Sequence, residues 1–287
     1  MTDENLTNLV GDRQEGPISI HLESEKVSCL LNTFSRLAKV CHDVEIINGE
    51  ICQHTNSKTA IFNIDLSNII GNISIDMISL QGKVDLLDPF KKQKVDMDLE
   101  ITETKHTFKD DYSQIVFINP VKEYLNNRFI SETDRDNRYI VFDPNQPIFE
   151  VEIQRFLINR MDALGRGLDS TFLQLEFTGD KCDLIVCPVG DASASTIGKI
   201  LTIDLDIETT GTTVFPLDPF ILGFDEISVK CYKLSTFTEA NRFSRDGMTC
   251  IDSLIMVLET ETDNVEYKIY CYGNLIVPND MVPQINQ

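Results

Sequence analysis

The sequence predicts an α+β fold built from two repeated domains, each an antiparallel sheet assembly that carries two helices on one face. Three observations predict it. Pro17-Ile18 opens an alternating apolar run (Ile18, Ile20, Leu22) that leads into an amphipathic helix, and Pro147-Ile148 opens a matching run (Ile148, Val151, Ile153) 130 residues later. Leu87-Asp88-Pro89-Phe90 is answered by Leu217-Asp218-Pro219-Phe220 at the same offset. Between these landmarks most segments alternate with the period of two that marks a strand with one buried face. The shared offset, more than the shared letters, identifies two related units.

A polar arm (1–16) precedes the first domain (17–120), a connector (121–146) leads to the second (147–278), and residues 279–287 form a tail. In the first domain a strand over 18–22 precedes a helix with apolar positions Val27, Leu30, Leu31, Phe34, Leu37, Ala38 and Cys41, spaced by threes and fours. Ser28, Asn32, Ser35, Arg36 and Lys39 occupy its other side. Strands over 44–47 and 50–53 flank Asn48-Gly49, a dipeptide that accepts the positive φ of a tight hairpin. Strands over 60–66 and 73–77 follow. A second helix over 78–88 is stopped by Pro89, which cannot donate a backbone hydrogen bond. Strands over 95–102, 106–110 and 114–119 complete the unit.

The second domain repeats that order. A helix over 153–164 sets Leu157, Met161 and Leu164 on one side and Arg155, Asn159, Asp162 and Arg166 near the other, with Gly165 as its stop. Strands over 172–177 and 182–187 are joined by the turn Thr178-Gly179-Asp180-Lys181, and a strand over 197–205 comes next. The Leu-Asp-Pro-Phe corner starts a second short helix that reaches toward Phe224. Strands over 227–234, 251–259 and 265–277 close the domain, and 235–247 is a polar insertion. Two helices on one side of an antiparallel sheet bury their apolar stripes against it and leave their polar sides on a common surface.

With 287 residues, 42% of them hydrophobic, the chain can bury a substantial core in two domains of ordinary size. No run approaches the roughly 18 consecutive apolar residues of a membrane span. Residues 1–15 are polar and acidic, unlike a secretory leader, which places the protein in a cytosol. The eight cysteines sit mostly in alternating apolar runs without a CxxC pair and read as buried reduced thiols. The net charge is −21, yet segments 26–42, 77–94 and 153–168 hold ten of the 25 Lys and Arg and only three of the 46 Asp and Glu. Those helical or helix-flanking segments total +7 and the remainder −28, so one face is positive on an otherwise acidic protein. The pattern fades over 217–230, where Asp218, Asp225 and Glu226 face Lys230 alone.

Catalytic signatures are missing. His21, His42, His54 and His106 are scattered, with none in HExxH or beside cysteines at metal spacing. Gly165-Arg166-Gly167-Leu168 is too short for a phosphate loop and follows a helix instead of a strand. Asp96, Asp98 and Glu100 alternate along a strand, as a solvated sheet face requires. The sequence reads as a protein that is not an enzyme and holds no metal or cofactor.

The doubled β-α-β-β-β-β-α-β-β-β order, with cations on its helices and acids elsewhere, resembles the sliding-clamp family of DNA polymerase processivity factors over 17–278. The two-domain type, found in cells as proliferating cell nuclear antigen and also in tailed phages, is the most similar. Lys58-Thr59-Ala60-Ile61-Phe62-Asn63-Ile64-Asp65-Leu66 and the ending Gly273-Asn274-Leu275-Ile276-Val277-Pro278 carry the same likeness. The long connector and the 235–247 insertion depart from the cellular proteins and suit a viral or phage version, whose place would be the host cytosol. The resemblance implies DNA-clamp domains assembled as a homotrimeric ring, with sheets outside and helices lining a hole for double-stranded DNA. Lys26, Arg36, Lys39, Lys83, Lys91, Lys92, Lys94, Arg155, Arg160 and Arg166 would face that DNA, neutralising phosphates without reading bases. It also implies that hydrophobic peptide motifs of a DNA polymerase and a clamp loader dock beneath the connector, at His54, Tyr139, Ile140, Leu275 and Pro278. Subunit contacts would pair domain edges at Ile115, Phe117, Thr212 and Val214.

Two other readings compete. One is an acidic, β-rich virion component of a tail or baseplate, whose basic residues would be spread evenly. The other is a monomeric processivity factor that uses the same basic face without closing a ring. The concentration of cations in three segments favours the clamp over the virion component.

Overall fold

The computed structural model describes residues 17–55, 57, 60–80, 84–102, 105–118, 142–186, 198–234, 243–245 and 247–279. Its first half runs β1 (Ile18–Leu22), α1 (Ser24–Leu37), β2 (Asp43–Ile46), β3 (Glu50–His54), β4 (Ala60–Asp65), α2 (Ser67–Ile70) and β5 (Ile75–Ser79). A 3₁₀ turn at Val84–Leu87 then leads into α3 (Asp88–Gln93), followed by β6 (Met97–Ile101), β7 (Lys105–Lys109) and β8 (Gln114–Ile118). The second half runs β9 (Phe149–Gln154), α4 (Arg155–Leu168), β10 (Phe172–Val186), β11 (Gly198–Pro216) and a 3₁₀ turn at Asp218–Ile221. It ends with β12 (Glu226–Lys233), β13 (Phe243–Arg245), β14 (Met248–Thr262) and β15 (Val265–Pro278).

The repeat is visible in the sheets. The first half forms a four-stranded antiparallel sheet in the order β1-β6-β7-β8, and the second sets β9-β12-β14-β15 in the same order inside a nine-stranded sheet. That larger sheet continues through β11 to β10, and it also takes in β4 and β3, because β4 pairs with β15 from Ala60↔Cys271 to Asp65↔Glu266. One sheet therefore spans both halves of the chain.

α1 forms because its apolar stripe fits that core: Val27, Leu30, Leu31, Phe34 and Leu37 are all buried. Each contributes about 1.5–3 kcal/mol of transfer free energy on folding. α4 buries Ile158, Met161 and Gly165 and continues to Leu168, three residues past the glycine expected to end it. Gly165 is needed for approach: a Cβ there would lie 2.6 Å from the Leu217 side chain in the Leu-Asp-Pro-Phe corner. The helix ends instead at Asp169, whose φ of 51° breaks the pattern.

Three further expectations are corrected. Pro89 opens α3 rather than stopping a helix, since the first turn has no donor to lose. In the second half the equivalent corner makes only a single 3₁₀ turn. The segment Thr178-Gly179-Asp180-Lys181 is not a hairpin: β10 runs on through an irregularity there, and its two parts pair with successive parts of β11. Gly179, at φ 68°, stands where the register shifts, with Asp180 alone opposite the four β11 residues 205–208, and the chain does not reverse there. Asn48-Gly49 does make a tight turn, with Ile47 and Glu50 exchanging backbone hydrogen bonds of 2.8 and 2.9 Å. Beyond that bridge the flanking strands part, β2 to β5 and β3 to β4.

One contiguous core lies between the helices and the sheets. A second cluster of Ile61, Tyr232, Ile255, Val257 and Tyr270 forms where β4, β12, β14 and β15 turn their alternate side chains to the opposite face. The seven described cysteines are unbridged, and burial pushes the Cys182 thiol up to about 12. Among the described residues no helix is long and apolar enough to cross a membrane.

Candidate nucleic-acid interface

The helical period of α4 that buries Ile158, Met161 and Gly165 turns Phe156, Asn159, Arg160, Ala163 and Arg166 to solvent. Two α4 cations are already matched: Arg155 Nη1 donates to Asp225 Oδ1 at 2.6 Å, and Arg166 Nη2 lies 2.9 Å from Asp162 Oδ2. Arg160 is exposed and has no ion partner among the described residues. α3 follows the same division. Lys92 pairs with Asp88 one turn back at 3.2 Å, whereas Lys91 and Lys94 have no such partner among the described residues. Lys26, exposed in the first turn of α1, likewise has no ion partner among the described residues. Lys83 lies outside the described residues.

Arg36 and Lys39 are used differently from the sequence expectation. Arg36 donates from Nη1 to Asp263 Oδ2 at 2.9 Å and lies over the rings of Phe224 and Tyr267, at 5.6 and 5.8 Å. Burial pushes its guanidinium pKa down, but Tyr267 and Asp263 outweigh that and raise it overall. Its side chain is only 16% exposed, so the second half of the chain, not an open surface, takes up its charge. Lys39 Nζ donates to the Leu222 carbonyl at 3.2 Å, again across the two halves, although the residue stays exposed. Asn32 adds a third bond, from Nδ2 to Asp263 Oδ2 at 3.1 Å.

The strand edges also differ from expectation. β8 is an edge strand, as anticipated, but Phe117 is buried against Phe108 and Ile115 packs on the core. The side chains offered outward are Val116 and Ile118, with Tyr112 exposed at the β7–β8 turn. Thr212 and Val214 lie on β11, an interior strand between β10 and β15, so the free edge there belongs to β10.

Of the expected peptide-groove residues, His54 and Pro278 are half-buried at the ends of β3 and β15, and Tyr139 and Ile140 lie outside the described residues. Leu275 is a core residue at 2% exposure, turned inward by the pleat. On the opposite face Tyr232, Ile255 and Tyr270 are buried beneath the half-buried Cys52, Phe142, Leu234 and Tyr272, with the Phe142 and Tyr232 rings 4.3 Å apart. Beside them Lys230 bridges Glu150 (3.3 Å) and Glu259 (3.1 Å), and Lys268 reaches Glu259 at 2.6 Å. Burial pushes the Glu259 carboxyl up, but Lys268 and Lys230 more than offset it, leaving it below its ordinary range. The uninterrupted apolar run 254–258 in the sequence signalled this face, because a strand apolar on both sides must be covered on both.

No protein-family model and no curated protein matches the chain. Solved structures do. The proliferating cellular nuclear antigen of Entamoeba histolytica superimposes with a TM-score of 0.52 at 10% identity, covering 89% of this chain and 98% of that one. The PCNA2–PCNA3 complex of Sulfolobus tokodaii gives 0.48 at 12% identity, covering 90% and 99%, and A. fulgidus PCNA bound to the C-terminal region of FEN-1 gives 0.46 at 9%, covering 88% and 97%. The first of these likenesses establishes that the chain has the sliding-clamp fold.

Proposed function

We propose that the chain is the protomer of a homotrimeric sliding clamp that encircles double-stranded DNA and tethers a DNA polymerase to it. One observation carries this reading: among the described residues Lys26, Lys91 and Arg160 on the helices and Lys94 at the end of α3 have no carboxylate partner, in a chain whose net charge is −21. Cations without carboxylate partners are free to replace the counterions of a phosphate backbone, and acids elsewhere keep DNA from the other surfaces. The contact is independent of sequence, and enclosure supplies persistence.

The edges support self-association. Among the described residues, three of the eight exposed large apolar side chains, Tyr112, Val116 and Ile118, lie on the β7–β8 hairpin. An unpaired strand with apolar side chains is a template for a second strand, and the free edge of β10 lies at the end of the other sheet. Head-to-tail contact between unlike edges generates a closed ring when the rotation closes. Hydrophobic peptide motifs of a DNA polymerase and a clamp loader would dock at the half-buried rim of the second cluster, Cys52, Phe142, Leu234 and Tyr272.

The test combines native mass with a salt titration of duplex binding for wild type and for Lys91→Glu, Lys94→Glu, Arg160→Glu. A mass of three protomers is expected in both. The variant should bind duplex about 100-fold more weakly, with a log–log salt slope shallower by about 3, from roughly 0.9 per phosphate contact. A monomeric wild type, or an unchanged slope, refutes the reading.

A further inference from the structure

We propose that Phe156 makes α4 a platform for an unpaired nucleotide, so that the helix side takes up single-stranded DNA beside a duplex as well as the duplex itself. The proposal rests on the clamp reading and extends it. Phe156 is 64% exposed. A lone exposed aromatic is ordinary on a protein surface; its company here is not. Arg155 precedes it, and Asn159 and Arg160 follow one helical turn on, on the same outward stripe. That stripe, Phe156, Asn159, Arg160, Ala163 and Arg166, contains no carboxylate. Asp162 and Asp225, the acids that pair with cations of this helix, are held by Arg166 and Arg155.

An aromatic ring among arginines is the combination that holds single strands: the cations follow the backbone while the ring stacks on a base. Within a duplex both faces of every base are covered except the outer face of each terminal pair, which a blunt duplex offers too, so a preference for an overhang over a blunt end reports stacking of Phe156 on an unpaired base. Arg160 can neutralise the adjoining phosphate, and the Asn159 amide can both donate to and accept from a base edge. Phosphate contacts alone would not distinguish a duplex end from a duplex middle, whereas an exposed ring does.

The test titrates the full chain with two labelled probes, a blunt duplex and the same duplex carrying a single-stranded overhang. Wild type should prefer the overhang on the order of ten-fold. Phe156→Ala should abolish that preference while leaving blunt-duplex affinity, salt slope and native mass unchanged, and Phe156→Tyr should retain it. A preference that survives Phe156→Ala overturns the proposal. So does a fall in the native mass of that variant, which would assign the ring to contact between copies. Lys91→Glu, Lys94→Glu, Arg160→Glu separates the two levels of argument. If it leaves both probes bound as tightly as before, the DNA reading itself fails; if it weakens both while Phe156→Ala changes nothing, only the stacking platform fails.

Discussion

Asp263→Asn removes one charge from the contact between the two halves and leaves the local backbone intact. Asp263 and Asn264 form the tight turn between β14 and β15 with φ values of 57° and 58°, a conformation asparagine accepts readily. The lost interaction is the ion pair with Arg36. The two side chains are 16% and 30% exposed, between the surface pairs worth about 0–1 kcal/mol and the buried pairs that cost about 3–5 kcal/mol to break. A destabilisation of about 2 kcal/mol is therefore expected. Arg36→Ala also removes the guanidinium from the rings of Phe224 and Tyr267, which adds about 0.5–1 kcal/mol. A double-mutant cycle in urea at fixed protein concentration should return a coupling of about 1–2 kcal/mol. Coupling indistinguishable from zero would refute the claim that Arg36 fastens the halves together. A loss of duplex salt slope in Arg36→Ala as large as that from reversing Arg160 would return Arg36 to the DNA-facing set.

Ile118→Asp places a charge on the free edge of β8 and should lower native mass toward a single protomer while leaving the far-UV circular dichroism spectrum unchanged; an unchanged mass would show that this edge lies outside any contact between copies. Glu259→Gln should cost about 1 kcal/mol at neutral pH, discounted for the partial exposure of its network with Lys230 and Lys268. Because the folded protein holds this carboxyl below its ordinary range, its contribution is present above the unfolded pKa and is lost as pH falls through the folded one. Urea midpoints of variant and wild type should therefore converge under acid conditions, and a gap that persists there would contradict the assignment.

Periodicity identified what local pattern can encode. The stripe of α1, the alternation of β6 and β12 and the Leu-Asp-Pro-Phe corner are all written within a few turns or pleats of sequence. The fate of Arg36 is not, because its partner Asp263 lies 227 residues away and the same helical position could equally face solvent. The phase of β8 was hidden for another reason: Ile115, Val116, Phe117 and Ile118 are apolar without interruption, so a period of two gives no direction. Gly179 was misleading because glycine at positive φ serves both turns and irregularities within a strand. Only the long partner β11 decides between them.

The ladder of six residue pairs between β4 and β15 has a mechanical meaning. A hinge needs a section where few bonds resist rotation, and here the seam between halves is backbone pairing, reinforced on its helical side by Arg36, Asn32 and Lys39. Flexing the protomer would shear that seam. Any circle of such protomers would therefore yield first at the joints between copies, with each copy moving as a stiff arc.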